Sequence, residues 1–202
     1  MKTVKIPAIL LVLYSAIVSI AFVFVLVSFK ANNSFNEDEI SLKRINITDE
    51  KGNLRLVISN EERIPPPILE GKEFKRAISP AGIIFYDNKG NECGGLALSG
   101  KDNTDIGALV FDYSNMDAIA MRVIDTEGGD YNAGFIINDP SPKGTLGRGN
   151  GRIALENDNG SAQLILNDAN GKPRLKISVD EDGNASFNLL DKDGNITKDV
   201  LK

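Results

Sequence analysis

Read for its hydrophobic and polar positions, the chain opens on its longest apolar run. Residues 6–29, IPAILLVLYSAIVSIAFVFVLVSF, carry no charge. A helix rises about 1.5 Å per residue, so a run of this length crosses a hydrocarbon core of roughly 30 Å. Pro7 falls in the first turn, where its missing N–H costs little. Ser15 and Ser19, four apart, are placed to bond back to carbonyls one turn earlier. A cleaved signal peptide would have an apolar stretch of about 7–15 residues and a small-x-small site. This run is longer, and Phe29 and Lys30 stand where small residues would be needed. The pattern predicts an uncleaved transmembrane helix over 6–29, which makes the lipid bilayer a partner of that segment. Lys2 and Lys5 precede it, and Glu37, Asp38 and Glu39 follow. The positive-inside rule then places residues 1–5 in the cytoplasm and the remainder outside.

Residues 30–39 are polar and aperiodic, and read as a linker. From Ile40 the period changes to two. Apolar residues alternate in short segments at Ile45 and Ile47; Leu54, Leu56 and Ile58; Ile83 and Phe85; Leu96 and Leu98; Leu109 and Phe111; Met121 and Val123. They continue at Phe135 and Ile137; Ile153 and Leu155; Leu164 and Leu166; Leu175, Ile177 and Val179; Phe187 and Leu189. Such alternation predicts half-buried strands.

Between the strands an Asp or Asn recurs with Gly three positions later. It stands at Asp49 and Gly52, Asp87 and Gly90, Asp125 and Gly128, Asn157 and Gly160, Asp168 and Gly171, Asp180 and Gly183, Asp191 and Gly194. An acidic or amide side chain at the first turn position accepts backbone N–H bonds, and glycine at the fourth takes the left-handed conformation, so each pair predicts a hairpin turn. The last four turns step by 11 or 12 residues, the rhythm of an antiparallel meander over residues 152–202. The first three step by 38, suggesting an older repeat. The fold expected for residues 40–202 is therefore an all-β antiparallel sheet.

Two stretches interrupt the rhythm. Residues 61–79 hold Pro65, Pro66 and Pro67, for which polyproline II is the local expectation and a rigid loop or sheet-edge cover the expected role. Residues 138–151 form a long loop rich in Gly and Pro, a type that often serves function.

Composition narrows the chemistry. There is no histidine, which removes the commonest neutral-pH base and imidazole metal ligand. The single cysteine, Cys93, allows no internal disulfide and excludes Cys-based zinc. Serine and cysteine hydrolases that need His are excluded with them. Beyond residue 5 there are 23 − 2 = 21 basic against 28 acidic residues, a net −7 with no basic stripe. That balance argues against nucleic acid and against docking on anionic lipid.

Candidate sites are few. Asp191, Asp193 and Asn195 suggest calcium, but Gly194 is fourth in the loop and no closing Glu follows, so no metal or cofactor is expected. Cys93 has no base beside it and reads as a packed residue. Gly94 and Gly95 read as a bulge or a close backbone approach. The sequons at Asn32, Asn46, Asn159, Asn184 and Asn195 matter only in a glycosylating host. Glu92, Asp112 and Asp139, near the long loops, are the raw material for a carboxylate hydrolase acting on envelope glycans. No catalytic, cofactor or metal residue is assigned.

Residues 45–60, residues 81–96 with Asn91, Glu92, Gly94 and Gly95, and the closing Asp-x-x-Gly rhythm resemble a group of uncharacterised bacterial proteins with one leading membrane helix. The resemblance covers most of residues 40–195. It implies a bacterial envelope location and transfers no catalytic residue. The expectation is a non-enzymatic binding or structural module, with a homo-oligomer through exposed strand edges or another envelope protein as partner.

Overall fold

The computed structural model describes residues 7–31, 38–76, 78–101 and 103–201. The expected cytoplasmic tip at 1–5 and linker positions 32–37 lie outside them. The chain divides into two units, Met1–Ser41 and Leu42–Lys202.

In the first unit, α1 spans Ala8–Ala31. Ala8–Val25 has a mean hydropathy of 2.8, and none of it is buried. Ser15 Oγ bonds back to the Val12 carbonyl at 2.9 Å, which satisfies the hydroxyl inside an apolar helix. A helix that is apolar all round has no polar face to give to water. It is compatible with a membrane anchor or with a signal segment.

The regular elements of the second unit, among the described residues, are all strands: β1 (Arg44–Thr48), β2 (Leu54–Ser59), β3 (Ile68–Leu69), β4 (Lys72–Glu73), β5 (Ala81–Tyr86), β6 (Glu92–Lys101), β7 (Thr104–Tyr113), β8 (Met116–Thr126), β9 (Tyr131–Asn138), β10 (Gly151–Asp158), β11 (Ser161–Asn167), β12 (Pro173–Val179), β13 (Ala185–Leu190) and β14 (Ile196–Asp199). Twelve of these form one sheet in the order β1-β2-β5-β6-β7-β8-β9-β10-β11-β12-β13-β14, and β3 pairs only with β4. Every neighbouring pair whose register is known is antiparallel, from β1·β2 to β13·β14.

The registers carry apolar residues straight across the strands. One row runs Ile45, Ile58, Ile83, Leu96, Leu109, Met121, Phe135, Leu155, Leu164, Ile177, Phe187. Two residues along each strand, a second row runs Ile47, Leu56, Phe85, Gly94, Phe111, Ile119, Ile137, Ile153, Leu166, Leu175, Leu189. Side chains alternate faces along a strand, so both rows share one face.

The alternating face is half-buried at some positions, such as Ile83, Leu96 and Phe135, and open at others: Met121 is 56% exposed, Leu155 57% and Phe111 53%. The buried core belongs to the opposite phase: Val57, Ile84 and Tyr86, with Leu54, Ile64 and Ile68 packed on them. Residues 61–79 supply Ile64 and Ile68, so the proline-rich stretch covers part of this second face instead of a sheet edge. The short β3·β4 hairpin follows the prolines, turning through Glu70 (φ 51°) and Gly71 (φ 73°).

Local chemistry explains the turns. The carboxylates of Asp49, Asp87, Asp168, Asp180 and Asp191 each accept backbone N–H groups two and four residues ahead. Two expected turns sit differently. At Asp125, Thr126 takes the first position: its Oγ1 accepts the Asp130 N–H and Gly129 closes the turn. At Asn157, β10 runs on to Asp158, and Asn159 (φ 48°) and Gly160 (φ 85°) make a two-residue link to Ser161. Asn-Gly is the pair such a tight turn selects.

Gly94 (φ 138°) shows where glycine is obligatory. A Cβ there would meet the Val110 carbonyl oxygen at 2.3 Å. Its cross-strand neighbours Phe85 and Phe111 stack over it, ring centroids 6.2 Å apart. Gly94→Ala should cost about 3 kcal/mol or more, through steric overlap with backbone and a strained φ. Gly183→Ala (φ 84°, open space around it) should cost only about 1 kcal/mol. Thermal melts of the two variants check the contrast, and equal losses would refute it.

Candidate functional site

The end of β6 and the β7–β8 connection build a cleft. β6 begins with a bulge: Tyr86 pairs with Glu92 and Phe85 with Gly94, which leaves Cys93 as the extra residue. The bulge presents Glu92 and Cys93 beside Asp112 and Tyr113 of β7, together lining a hollow of about 690 Å³ with Asp87 and Asn91. Glu92 and Asp112 also line an adjoining hollow of about 220 Å³ with Asp117, Leu146 and Gly147. Two of the three carboxylates singled out in the sequence are thus brought together. The third, Asp139, lines neither hollow; it pairs with Arg152 at 3.0 Å.

Arg76 organises the cleft. Its guanidinium grips both Glu92 oxygens, at 3.1 and 2.5 Å, and its Nε donates to the Pro65 carbonyl at 2.7 Å. Both side chains of the pair are 14% exposed. This bidentate fork ties the proline-rich stretch to the sheet. Sequence reasoning missed Arg76 because an ion pair over 16 residues leaves no local pattern; four basic residues within 61–79 were the only trace.

Asp112 has the opposite environment. Its Oδ1 is buried without a hydrogen-bond partner among the described residues. Burial, and then the charges of Asp117 and Glu92, push its carboxyl up to about 7, while Arg76 pulls weakly the other way. Asp117 is its cross-strand partner, so two carboxylates face each other. A carboxyl pushed toward its neutral form beside an ion-paired carboxylate is a pairing known from acid–base sites.

Cys93 carries no such poise. Burial first, then the charges of Asp87 and Asp112, push its thiol up, so a reactive thiolate is disfavoured. Among the described residues, no group of His, Cys, Asp and Glu is arranged to hold a metal ion. The long loop at 138–151 is fastened to the β7–β8 turn. Ser141, buried, donates from Oγ to the Asn115 carbonyl and accepts the Arg148 N–H. Its backbone meets the Asn115 amide in both directions.

The second candidate is the apolar sheet face. Along its third row lie Leu98, Gly107, Val123, Ala133, Asn157, Ala162, Val179 and Ala185. No charged side chain occurs in any of the three rows. Gly107 opens a shallow recess of about 420 Å³ walled by Leu96, Leu109, Met121, Val123 and Phe135.

Comparison with family models, with curated proteins and with solved structures gave no match. The geometry alone therefore guides the functional reading.

Two outcomes test the cleft. Asp112 binds a proton more tightly folded than unfolded, so its ionisation destabilises the fold as pH rises from about 4 through 7. Asp112→Asn should flatten stability across that window and add about 1–2 kcal/mol at pH 8, a figure discounted for partial solvation. Urea melts from pH 4 to 8 read this directly. Arg76→Met should lose about 3 kcal/mol at pH 7, because Glu92 is left as an unpaired half-buried charge. A loss under about 1 kcal/mol would show the pair to be a bystander.

Proposed function

We propose that this protein is a single-pass membrane protein whose β unit works outside the cytoplasm as a non-enzymatic binding or structural module. Residues 6–29 hold it in the bilayer, with residues 1–5 cytoplasmic and residues 40–202 extracytoplasmic. The observation that supports this best is the sheet itself. Twelve antiparallel strands offer a broad uncharged surface, a form suited to lateral association and ill suited to enclosing a substrate. The hydropathy of α1, the lysines before it and the acidic residues after it support the anchor and its orientation. The Asp-x-x-Gly turns serve as joints of the meander, holding the register between the strands they link.

A second reading rests on the cleft. Asp112 as a general acid and Glu92 as the carboxylate would suit hydrolysis of envelope glycans. It stands behind the first because Arg76 already engages both Glu92 oxygens. Incubation with peptidoglycan or other envelope glycans separates the two. Hydrolysis that vanishes in both Glu92→Gln and Asp112→Asn would establish the second.

For the anchor, the full-length chain should stay in the membrane pellet after an alkaline wash. Protease added to spheroplasts should digest the β unit and leave a fragment that retains Met1. A mature form starting near Ala31, or intact protein in the soluble cytosol, overturns the reading.

A further inference from the structure

We propose that the apolar sheet face is the interface with a second copy of this chain, the two sheets packing face to face as the layers of a sandwich. The proposal rests on the anchored-module reading and names its partner.

Area is the first argument. The face crosses eleven strands, β1, β2 and β5 to β13. Strands lie about 4.8 Å apart and the rows about 7 Å apart, so three rows cover on the order of 1,000 Å². A stable association needs about 800 Å² per partner. Monomers rarely leave more than a few hundred contiguous apolar Å² in water. A one-layer sheet with an apolar face is also half of a two-layer architecture, whose layers sit about 10 Å apart.

Relief is the second. Gly107, Ala133, Ala162 and Ala185 are small positions between Met121, Phe135, Leu155 and Ile177 on the same face. The recess at Gly107 is wide enough for a large apolar side chain from the opposing sheet. Interdigitating large with small residues is how paired sheets fill their core.

The border and the anchor decide between a copy and a bilayer. Beyond the third row the same face continues into Asp105 and Asp125, paired across β7 and β8 and both exposed. Carboxylates on this face are costly to bring into hydrocarbon, whereas at the rim of a protein interface they stay in water. Copies held in one membrane meet at a raised effective concentration, which favours self-association. Edge pairing is the weaker route. The outer strands β1 and β14 are only 5 and 4 residues long and carry Arg44 and Lys198, features that blunt an edge.

The test uses the full chain in native membranes, in a Cys93→Ser background. Met121→Cys places a thiol mid-face, and Lys192→Cys places one in an exposed turn. A short bis-maleimide should give a homodimer adduct from Met121→Cys and little from Lys192→Cys. Native mass spectrometry of the full chain in detergent should show twice the 21.8 kDa chain mass, reverting to one chain mass in Leu155→Arg with its strand circular dichroism kept. Should Leu155→Arg misfold, the cross-linking still decides. Equal adducts from both thiols, an adduct with a different protein, Met121→Cys labelling by a lipid-phase reagent, or a single chain mass for the unmodified chain overturns the proposal. An alkaline wash of the same membranes separates its failure from that of the anchor: chain retained in the pellet without a homodimer adduct sinks the interface alone.

Discussion

Antiparallel pairing forces every second side chain of every strand onto one face, and in this sheet that face is apolar from β1 to β13. The register is what makes the pattern collective. Ile45 meets Ile58, Ile58 meets Ile83, and the match continues strand after strand to Phe187. A slip of one residue at any pair would send its strand's apolar set to the other side. The Asp-x-x-Gly and Asn-Gly turns prevent such slips, because each fixes how many residues separate two strands. Turn chemistry and face chemistry are thus one device: the first holds the register that the second needs.

The two faces are then finished by different means. The second face is covered from within the chain. Ile64 and Ile68 lie over Val57, Ile84 and Tyr86, and the Arg76–Glu92 pair pins the covering segment in place. That cover spans only a few strands. Farther along, the same face changes character, with Arg122, Glu156 and Gln163 in cross-strand succession and Lys176 and Asn188 in the next row. Glu156 accepts from Gln163 at 2.9 Å and from Asn132 at 3.1 Å. A polar network can face water, so this part needs no lid. Among the described residues, the three apolar rows carry no charged side chain, and Asn157 is the polar residue within them.

Much of this was legible in the sequence, and what was not has identifiable causes. Period-two alternation located eleven strands, because alternation is a local signal that survives any register. It did not say which phase is buried: Val57 and Ile84 are as apolar as their neighbours, and burial depends on Ile64 and Ile68, which lie outside both strands. Strands β3, β4 and β14 escaped because two to four residues are too few to show a period. At Asp49, Asp87, Asp168, Asp180 and Asp191 the carboxylate accepts N–H groups two and four residues ahead. At Asp125 a threonine one residue on competes for the same job, and a second glycine, Gly129, lets the turn shift. At Asn157 the adjacent Asn159-Gly160 pair makes a tighter turn that extends both strands by a residue or two. The carboxylates were visible as types but not as partners. That Glu92 and Asp112 share a cleft while Asp139 does not follows from the β6 bulge and the β6·β7 pairing.

The cleft and the face also differ in what their energetics ask for. In the cleft, Asp112 is pushed toward its neutral form by burial and by Asp117 and Glu92. That unfavourable ionisation costs stability at neutral pH, unless a partner or a function offsets it. It is nevertheless a local cost, confined to one carboxyl, and protonation alone relieves it. The exposed apolar rows are a cost of another kind, spread over many strands, and no proton or ion relieves it. Each exposed Leu, Ile or Phe would contribute about 1–2 kcal/mol on being covered, so even partial burial of the face outweighs anything the cleft can add. Covering the rows therefore returns more free energy than titrating one carboxyl.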